Sequence, residues 1–314
     1  MNKITIIGAG NVGSTIAYTL MITGCTSEIV MIDVQNEKAV GEALDIQQGT
    51  PYGGICQIYA GSYEDAKDSD IVIFTCGVAR KPGQSRLDLA QVNTDITKSI
   101  IPDIVRVAPN AKYIIVSNPV DILTYVFLKR SGLPENQIIG SGTILDTARL
   151  RARLSECFNI NQRNIHAYVL GEHGDSSFVP WSLTNISNVP VMEYHAAVRV
   201  SDRPTPEFTP EGVEEYIRRS GGRIIERKGA TFYAVSASVC HIAKTILTGI
   251  DTTMTVSTMM HGEYGISDVA LSTLNIVGEQ GAIGKVMLPL AGNEIVQLRE
   301  SAKTIKAVIS QLTI

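Results

Sequence analysis

The run Ile4-Thr5-Ile6-Ile7-Gly8-Ala9-Gly10-Asn11-Val12-Gly13 decides the fold of this 314-residue chain. Its β-branched start predicts a strand over Ile4–Ile7, Ser14 to Ile22 carry a helical pattern, and the glycines between them are spaced as GxGxxG. A second strand, Glu28 to Ile32, ends in Asp33, twenty residues beyond Gly13. Each glycine has its own task. Gly8 permits the tight turn, Gly10 lets a pyrophosphate approach the backbone, and Gly13 lets helix and strand pack closely. The pyrophosphate would lie on the helix N-terminus, where free N–H groups and the helix dipole favour anions. Asp33 would accept the ribose hydroxyls and repel a 2′-phosphate, so the pattern predicts NAD rather than NADP. Val12 and the later Gly77 are further candidate cofactor contacts.

Strand-like runs follow at Gln57 to Tyr59, Ile71 to Phe74 and Tyr113 to Val116, and helical stretches at Glu37 to Gln47, Leu89 to Val107 and Ile122 to Lys129. This alternation predicts an α/β fold with a parallel, doubly wound sheet covered on both faces. Asn118, in Asn118-Pro119-Val120-Asp121, then stands at a strand's carboxyl end, where such sheets bind ligands. Its amide is placed to meet either the nicotinamide ribose or a substrate oxygen. From Gly77 to Arg86, two glycines and three cations (Arg80, Lys81, Arg86) describe a basic loop suited to closing over an anionic substrate.

The second half opens with Gly140-Ser141-Gly142 and a helical stretch, Thr143 to Phe158. Asp146 and Arg149 share one face of it, so the arginine can present a bidentate fork to a carboxylate. Arg151 lies about 200° round the helix from Arg149 and cannot serve the same site. The apolar run Ala167 to Leu170 predicts a strand that presents Gly171-Glu172-His173-Gly174-Asp175 at its mouth, and histidine is the usual carrier of protons near neutral pH. Residues 201–212 read as a surface loop. Helices are expected over Glu214–Arg227 and Thr231–Leu247, antiparallel strands over Thr253–Met260 and Asp268–Val277, and a last amphipathic helix over Asn293–Ile309.

A net charge of −4 argues against nucleic acid as a partner. No apolar segment approaches the roughly 18 residues that span a bilayer, and the N-terminus lacks a signal peptide, so the expectation is a cytoplasmic protein with no membrane partner. The five cysteines are scattered and odd in number, and the five histidines lack ligand spacing; reduced core thiols and no metal site are expected.

These motifs, in this order, resemble the L-lactate/malate dehydrogenase family over essentially the whole length. The resemblance implies a Rossmann NAD-binding domain over residues 1–141 and an α+β substrate domain with antiparallel strands over 142–314. It makes His173 the acid that protonates the keto oxygen, Asp146 its orienting carboxylate, Arg149 the holder of the substrate carboxylate and Arg86 the group that polarises the carbonyl. The substrate is then a small 2-keto or 2-hydroxy acid. In the family, the position of Arg80 usually carries arginine in malate enzymes and glutamine in lactate enzymes, whereas Thr231, Leu87 and Glu172 follow the lactate pattern. Three against one favours lactate.

Arg151 and His166 match the positions that bind fructose 1,6-bisphosphate between subunits of allosteric bacterial lactate dehydrogenases, which implies a homotetramer with that effector. A silent NAD-binding sensor is the alternative of a different class. Such a sensor needs the Gly-rich half but has no use for Asp146, Arg149, His173 and Arg86 together.

Overall fold

The computed structural model describes residues 2–78, 85–197 and 207–314, apart from the side chains of Arg86 and His195. Its first half alternates strand and helix: β1 (Lys3–Ile7), α1 (Asn11–Thr23), β2 (Glu28–Ile32), α2 (Asn36–Gln48), β3 (Gln57–Ala60), β4 (Ile71–Phe74), α3 (Arg86–Val107), β5 (Lys112–Ile115), α4 (Val120–Arg130) and β6 (Ile138–Gly140). These six strands run parallel in the order β6-β5-β4-β1-β2-β3. The Ile-rich runs become central strands because both of their faces are covered. One core packs α1 and α2 on the sheet through Ile16, Leu20, Met21 and Ala43; the other packs α3 and α4 through Ile101, Ile104, Leu123 and Phe127.

The second half contributes α5 (Ile144–Phe158), the short strands β7 (Ile165–His166), β8 (Asn185–Ile186) and β9 (Val189–Pro190), α6 (Val191–Ala197), α7 (Pro210–Lys228), α8 (Tyr233–Thr248), β10 (Thr252–His261), β11 (Ser267–Gly278), β12 (Gly281–Lys285) and α9 (Gly292–Ile309). The expected antiparallel pair is present as β10 and β11. These strands do not form a sheet of their own: Ser257 of β10 pairs with Gly140 of β6, so β10, β11 and β12 extend the first sheet to nine strands. Their polar alternation does not mark a solvated face either. The Ser257 hydroxyl bonds Asp121 on α4, Thr255 bonds Thr147 on α5, and the Ser272 hydroxyl accepts the Thr143 N–H, so hydroxyls tie the strands to two helix starts.

Two stretches depart from expectation, one for a long-range reason and one for a local one. Residues 167–170 form no ladder strand. Leu170 and Gly171 instead make single bridges to Phe178 and Ser272, just before His173. The loop expected over 201–212 gives way to helix at Pro210, where proline occupies the first turn and the Thr209 hydroxyl accepts the Gly212 N–H. Residues 201–206 lie outside the described residues.

Candidate active site

The first wall of the site is the turn between β1 and α1. Gly8 has φ +107° and backs onto the end of β4, where a Cβ would stand 2.8 Å from the Cys76 nitrogen. A Cβ on Gly13 would lie 1.9 Å from the Gly8 carbonyl oxygen, but one on Gly10 would meet nothing within 4 Å. The outer two glycines therefore serve the turn and the packing, and the middle one leaves an open approach to the backbone. No side chain among the described residues caps α1, so its first N–H groups are left for an anion to bond. Asp33 ties the turn to β2: its two oxygens accept the N–H groups of Ala9 (2.7 Å) and Gln35 (2.8 Å). Each oxygen keeps a lone pair for a hydroxyl. Val12 and Gly77 line the adjoining cavity, and this set fits a dinucleotide.

That cavity, about 440 Å³, lies beyond the carboxyl ends of β4, β5 and β6 and is also lined by Asn118, Asp146, Arg149, His173 and Thr231. His173 sits 27 residues from Asp146 in sequence, yet its Nδ1 lies 2.6 Å from Asp146 Oδ2. The other oxygen, Oδ1, accepts from Arg149 Nη1 at 2.9 Å. Asp146 occupies the first turn of α5, where the helix dipole also favours a negative charge. Burial pushes its carboxyl up, but the charges of His173 and Arg149 and their hydrogen bonds outweigh burial and hold it below the usual carboxylate range. The Asp146 charge raises the imidazole of His173 in turn, against its own desolvation. With Nδ1 bonded to a carboxylate, Nε2 is the nitrogen left to exchange a proton.

A second acid supports the histidine from behind. Asp121, in the first turn of α4 and 3% exposed, accepts the His173 main-chain N–H at 2.7 Å and the Ser257 hydroxyl at 2.6 Å. Burial pushes its carboxyl up to about 6. Asn93 of α3 plays a similar part on the other wall: Oδ1 accepts the Val78 N–H (2.9 Å) and Nδ2 donates to the carbonyls of Val78 (3.2 Å) and Asn118 (2.7 Å). Neither residue was singled out from the sequence. Both act on main chain, 52 residues away for Asp121, and no local pattern signals such a bond.

Asn118 is exposed at the cavity, and Thr231 half-buried. Arg80 lies outside the described residues. The backbone of Arg86 opens α3 behind the Ser85 capping box, while its side chain lies outside them too. Arg151 does not line the cavity: its Nε donates to the Ala167 carbonyl (3.2 Å) and its guanidinium lies over the Tyr168 ring at 5.7 Å. His166, next to Ala167 in sequence, is exposed on β7 opposite Asn185. Arg149 and Arg151 thus take separate partners, as their offset around α5 requires.

A dinucleotide-type turn and a charge-paired histidine that share one cavity are what an NAD-dependent oxidoreductase of 2-hydroxy acids requires, and the chain is an enzyme of that class. Within the class it belongs to the lactate/malate dehydrogenase family: residues 2–140 match the family's NAD binding domain and residues 143–313 its alpha/beta C-terminal domain. Among curated relatives, L-lactate dehydrogenase of Thermoanaerobacter sp. (strain X514) is 46% identical over 314 residues, all of both chains. L-lactate dehydrogenase 1 of Clostridium acetobutylicum is 44% identical, covering 99% of this chain and 98% of the relative. Among solved structures, the minor L-lactate dehydrogenase from Enterococcus mundtii superimposes with a TM-score of 0.94 at 36% identity, covering 100% of this chain and 99% of its own. A lactate dehydrogenase from a Medee basin deep-sea metagenome library gives 0.93 at 35%, covering 98% of each. The NAD cofactor, the α/β fold and the family expected from the sequence are those found.

Proposed function

We propose that this enzyme is an L-lactate dehydrogenase that reduces pyruvate with NADH and runs the reaction in reverse. The observation that carries the reading is the chain of contacts His173–Asp146–Arg149 on the wall of the cavity that the Gly-rich turn opens onto. The Gly8–Gly13 turn, the α1 N-terminus and Asp33 would hold the NAD, whose nicotinamide supplies the hydride. Arg149 has guanidinium donors to spare beyond the one given to Asp146, and these grip the substrate carboxylate. His173, as imidazolium, gives the proton on Nε2 to the keto oxygen, while the Asp146 carboxylate stabilises the charged ring before transfer and orients it throughout. Arg86 adds positive charge where the alkoxide develops, and Asn118 anchors the nicotinamide ribose or a substrate oxygen.

The names of the relatives, together with Thr231, Leu87 and Glu172, support lactate over malate. Arg80 favours a second reading, malate dehydrogenase, because a cation at that position suits the second carboxylate of oxaloacetate. The division of labour at residue 141/142 is supported by the two matched segments. Arg151 and His166, on a face away from the cavity, support a fructose 1,6-bisphosphate site shared by two subunits of a homotetramer. No described helix is long and apolar enough to cross a membrane, which is compatible with work in the cytoplasm.

One experiment tests these readings together: kcat/KM for pyruvate and oxaloacetate, with and without the bisphosphate, in wild type, Arg80→Gln and Arg151→Gln. A preference for oxaloacetate above about tenfold, or about 1.4 kcal/mol, overturns the lactate reading. Pyruvate saturation curves that superimpose with and without the bisphosphate rule out activation.

A further inference from the structure

Helix α7 runs unbroken from Pro210 to Lys228 and carries Gly221 and Gly222 in its interior, a position where glycine weakens a helix. At some other glycines the fold leaves no choice: a Cβ on Gly140 would stand 2.3 Å from Thr124 Oγ1, and one on Gly281 1.9 Å from the Asn136 carbonyl oxygen. At Gly222 a Cβ meets nothing within 4 Å, and at Gly221 it meets only Arg149 Nη2, at an ordinary 3.8 Å. Neither residue needs a positive φ. Alanine would fit both positions and strengthen the helix, so packing does not explain the pair. What the two share is the wall of the cavity, beside the guanidinium that would hold the substrate carboxylate.

In a 2-oxo acid the carboxylate and the side chain flank the same carbonyl carbon. A substrate seated on Arg149 therefore keeps its third and later carbons within a few bond lengths of that guanidinium, in reach of the wall that Gly221 and Gly222 leave open. The surroundings select the kind of side chain. Ile225, one turn on along the same face, lines the cavity with 49% of its surface exposed. Arg218, one turn back, also lines it, but its Nη1 is tied to Glu214 at 3.1 Å, and the other oxygen of Glu214 accepts from Trp181 Nε1 at 2.8 Å. This wall is balanced in charge and ends in an apolar group. Carbon chain laid against it gains by leaving water.

We infer that the pocket accepts 2-oxo monocarboxylic acids with aliphatic side chains longer than the methyl of pyruvate, and that Gly221 and Gly222 set this range. The inference rests on the dehydrogenase reading above and names the substrate range of the same site. The test compares kcat/KM with NADH for pyruvate, 2-oxobutanoate, 2-oxopentanoate, 4-methyl-2-oxopentanoate and oxaloacetate in wild type, Gly221→Ala and Gly222→Ala, with the melting temperature of each variant measured alongside. In wild type, 2-oxopentanoate should stand within about tenfold of pyruvate, and the ratio of the two should fall by at least about tenfold in Gly221→Ala or Gly222→Ala. A wild-type ratio below that range, a ratio unchanged in both variants, or a preference for oxaloacetate over 2-oxopentanoate overturns the inference and leaves the dehydrogenase standing. Failure to oxidise NADH with any of the five acids overturns the dehydrogenase reading, and this inference falls with it.

Discussion

Replacing Asp121 by Asn should stabilise the folded protein at neutral pH while weakening its catalytic histidine. The carboxyl is 3% exposed, and burial moves it from 3.8 to about 6 in spite of the bonds from Ser257 and the His173 N–H and the nearby His173 charge. A rise of about 2 units at about 1.36 kcal/mol per unit means that ionised Asp121 costs the folded state about 3 kcal/mol. Because the folded value is raised, the folded protein binds the extra proton between the two values. This contribution to stability is therefore intact below about pH 4 and is lost as the pH rises through about 6. Asparagine carries no charge. Its carbonyl can still accept the His173 N–H, and its NH₂ can donate to a rotated Ser257 hydroxyl. Urea unfolding at fixed protein concentration should show the variant more stable by up to about 3 kcal/mol at pH 7, with the difference closing toward pH 4. The negative charge of Asp121 also helps to raise His173, so the pH at which pyruvate reduction falls off should be lower in the variant. A stability difference that is the same at pH 4 and pH 7, or a variant less stable at pH 7, would refute the argument that desolvation dominates this carboxyl.

The Asp146–His173 contact makes a sharper demand on the pH profile. Asp146→Asn removes a charge-assisted bond of about 1.5–3 kcal/mol, so the imidazole should lose its proton about 1–2 pH units earlier. Pyruvate reduction, which uses the imidazolium, should then decline at lower pH, and lactate oxidation, which uses the neutral ring, should begin at lower pH; profiles that do not both move to lower pH would contradict the assigned proton. The glycines of the β1–α1 turn should separate by task. Gly13→Ala, with its Cβ 1.9 Å from a main-chain oxygen, should cost at least about 3 kcal/mol in thermal or urea unfolding. Gly10→Val should leave the melting temperature within a few degrees and weaken NADH binding by at least about tenfold, as read by fluorescence titration.

Much of this was legible in the linear sequence because it rests on local geometry. GxGxxG between a β-branched run and a helix fixes a turn over six residues, and helical spacing alone places Asp146 beside Arg149 and turns Arg151 away. The contiguous apolar runs of β1 and β4 likewise announce buried parallel strands. Residues 167–170 misled for the same reason: an apolar run implies burial, but whether it pairs as a ladder depends on neighbours distant in sequence, here Phe178 and Ser272.

What the sequence determined by itself, then, is a dinucleotide turn, an acid–arginine pair on one helix face and a histidine between glycines. Each depends on residues within a few positions of one another. Tertiary structure alone decided that the histidine stands 2.6 Å from Asp146, that Asp121 and Ser257 hold it from behind, and that β10 to β12 complete the first sheet. It also decided that two helical glycines open onto the cavity. The physical reason is common to all four. A hydrogen bond or an empty volume between residues far apart in sequence depends on how strands and helices close around a shared core, and no short-range periodicity records that closure.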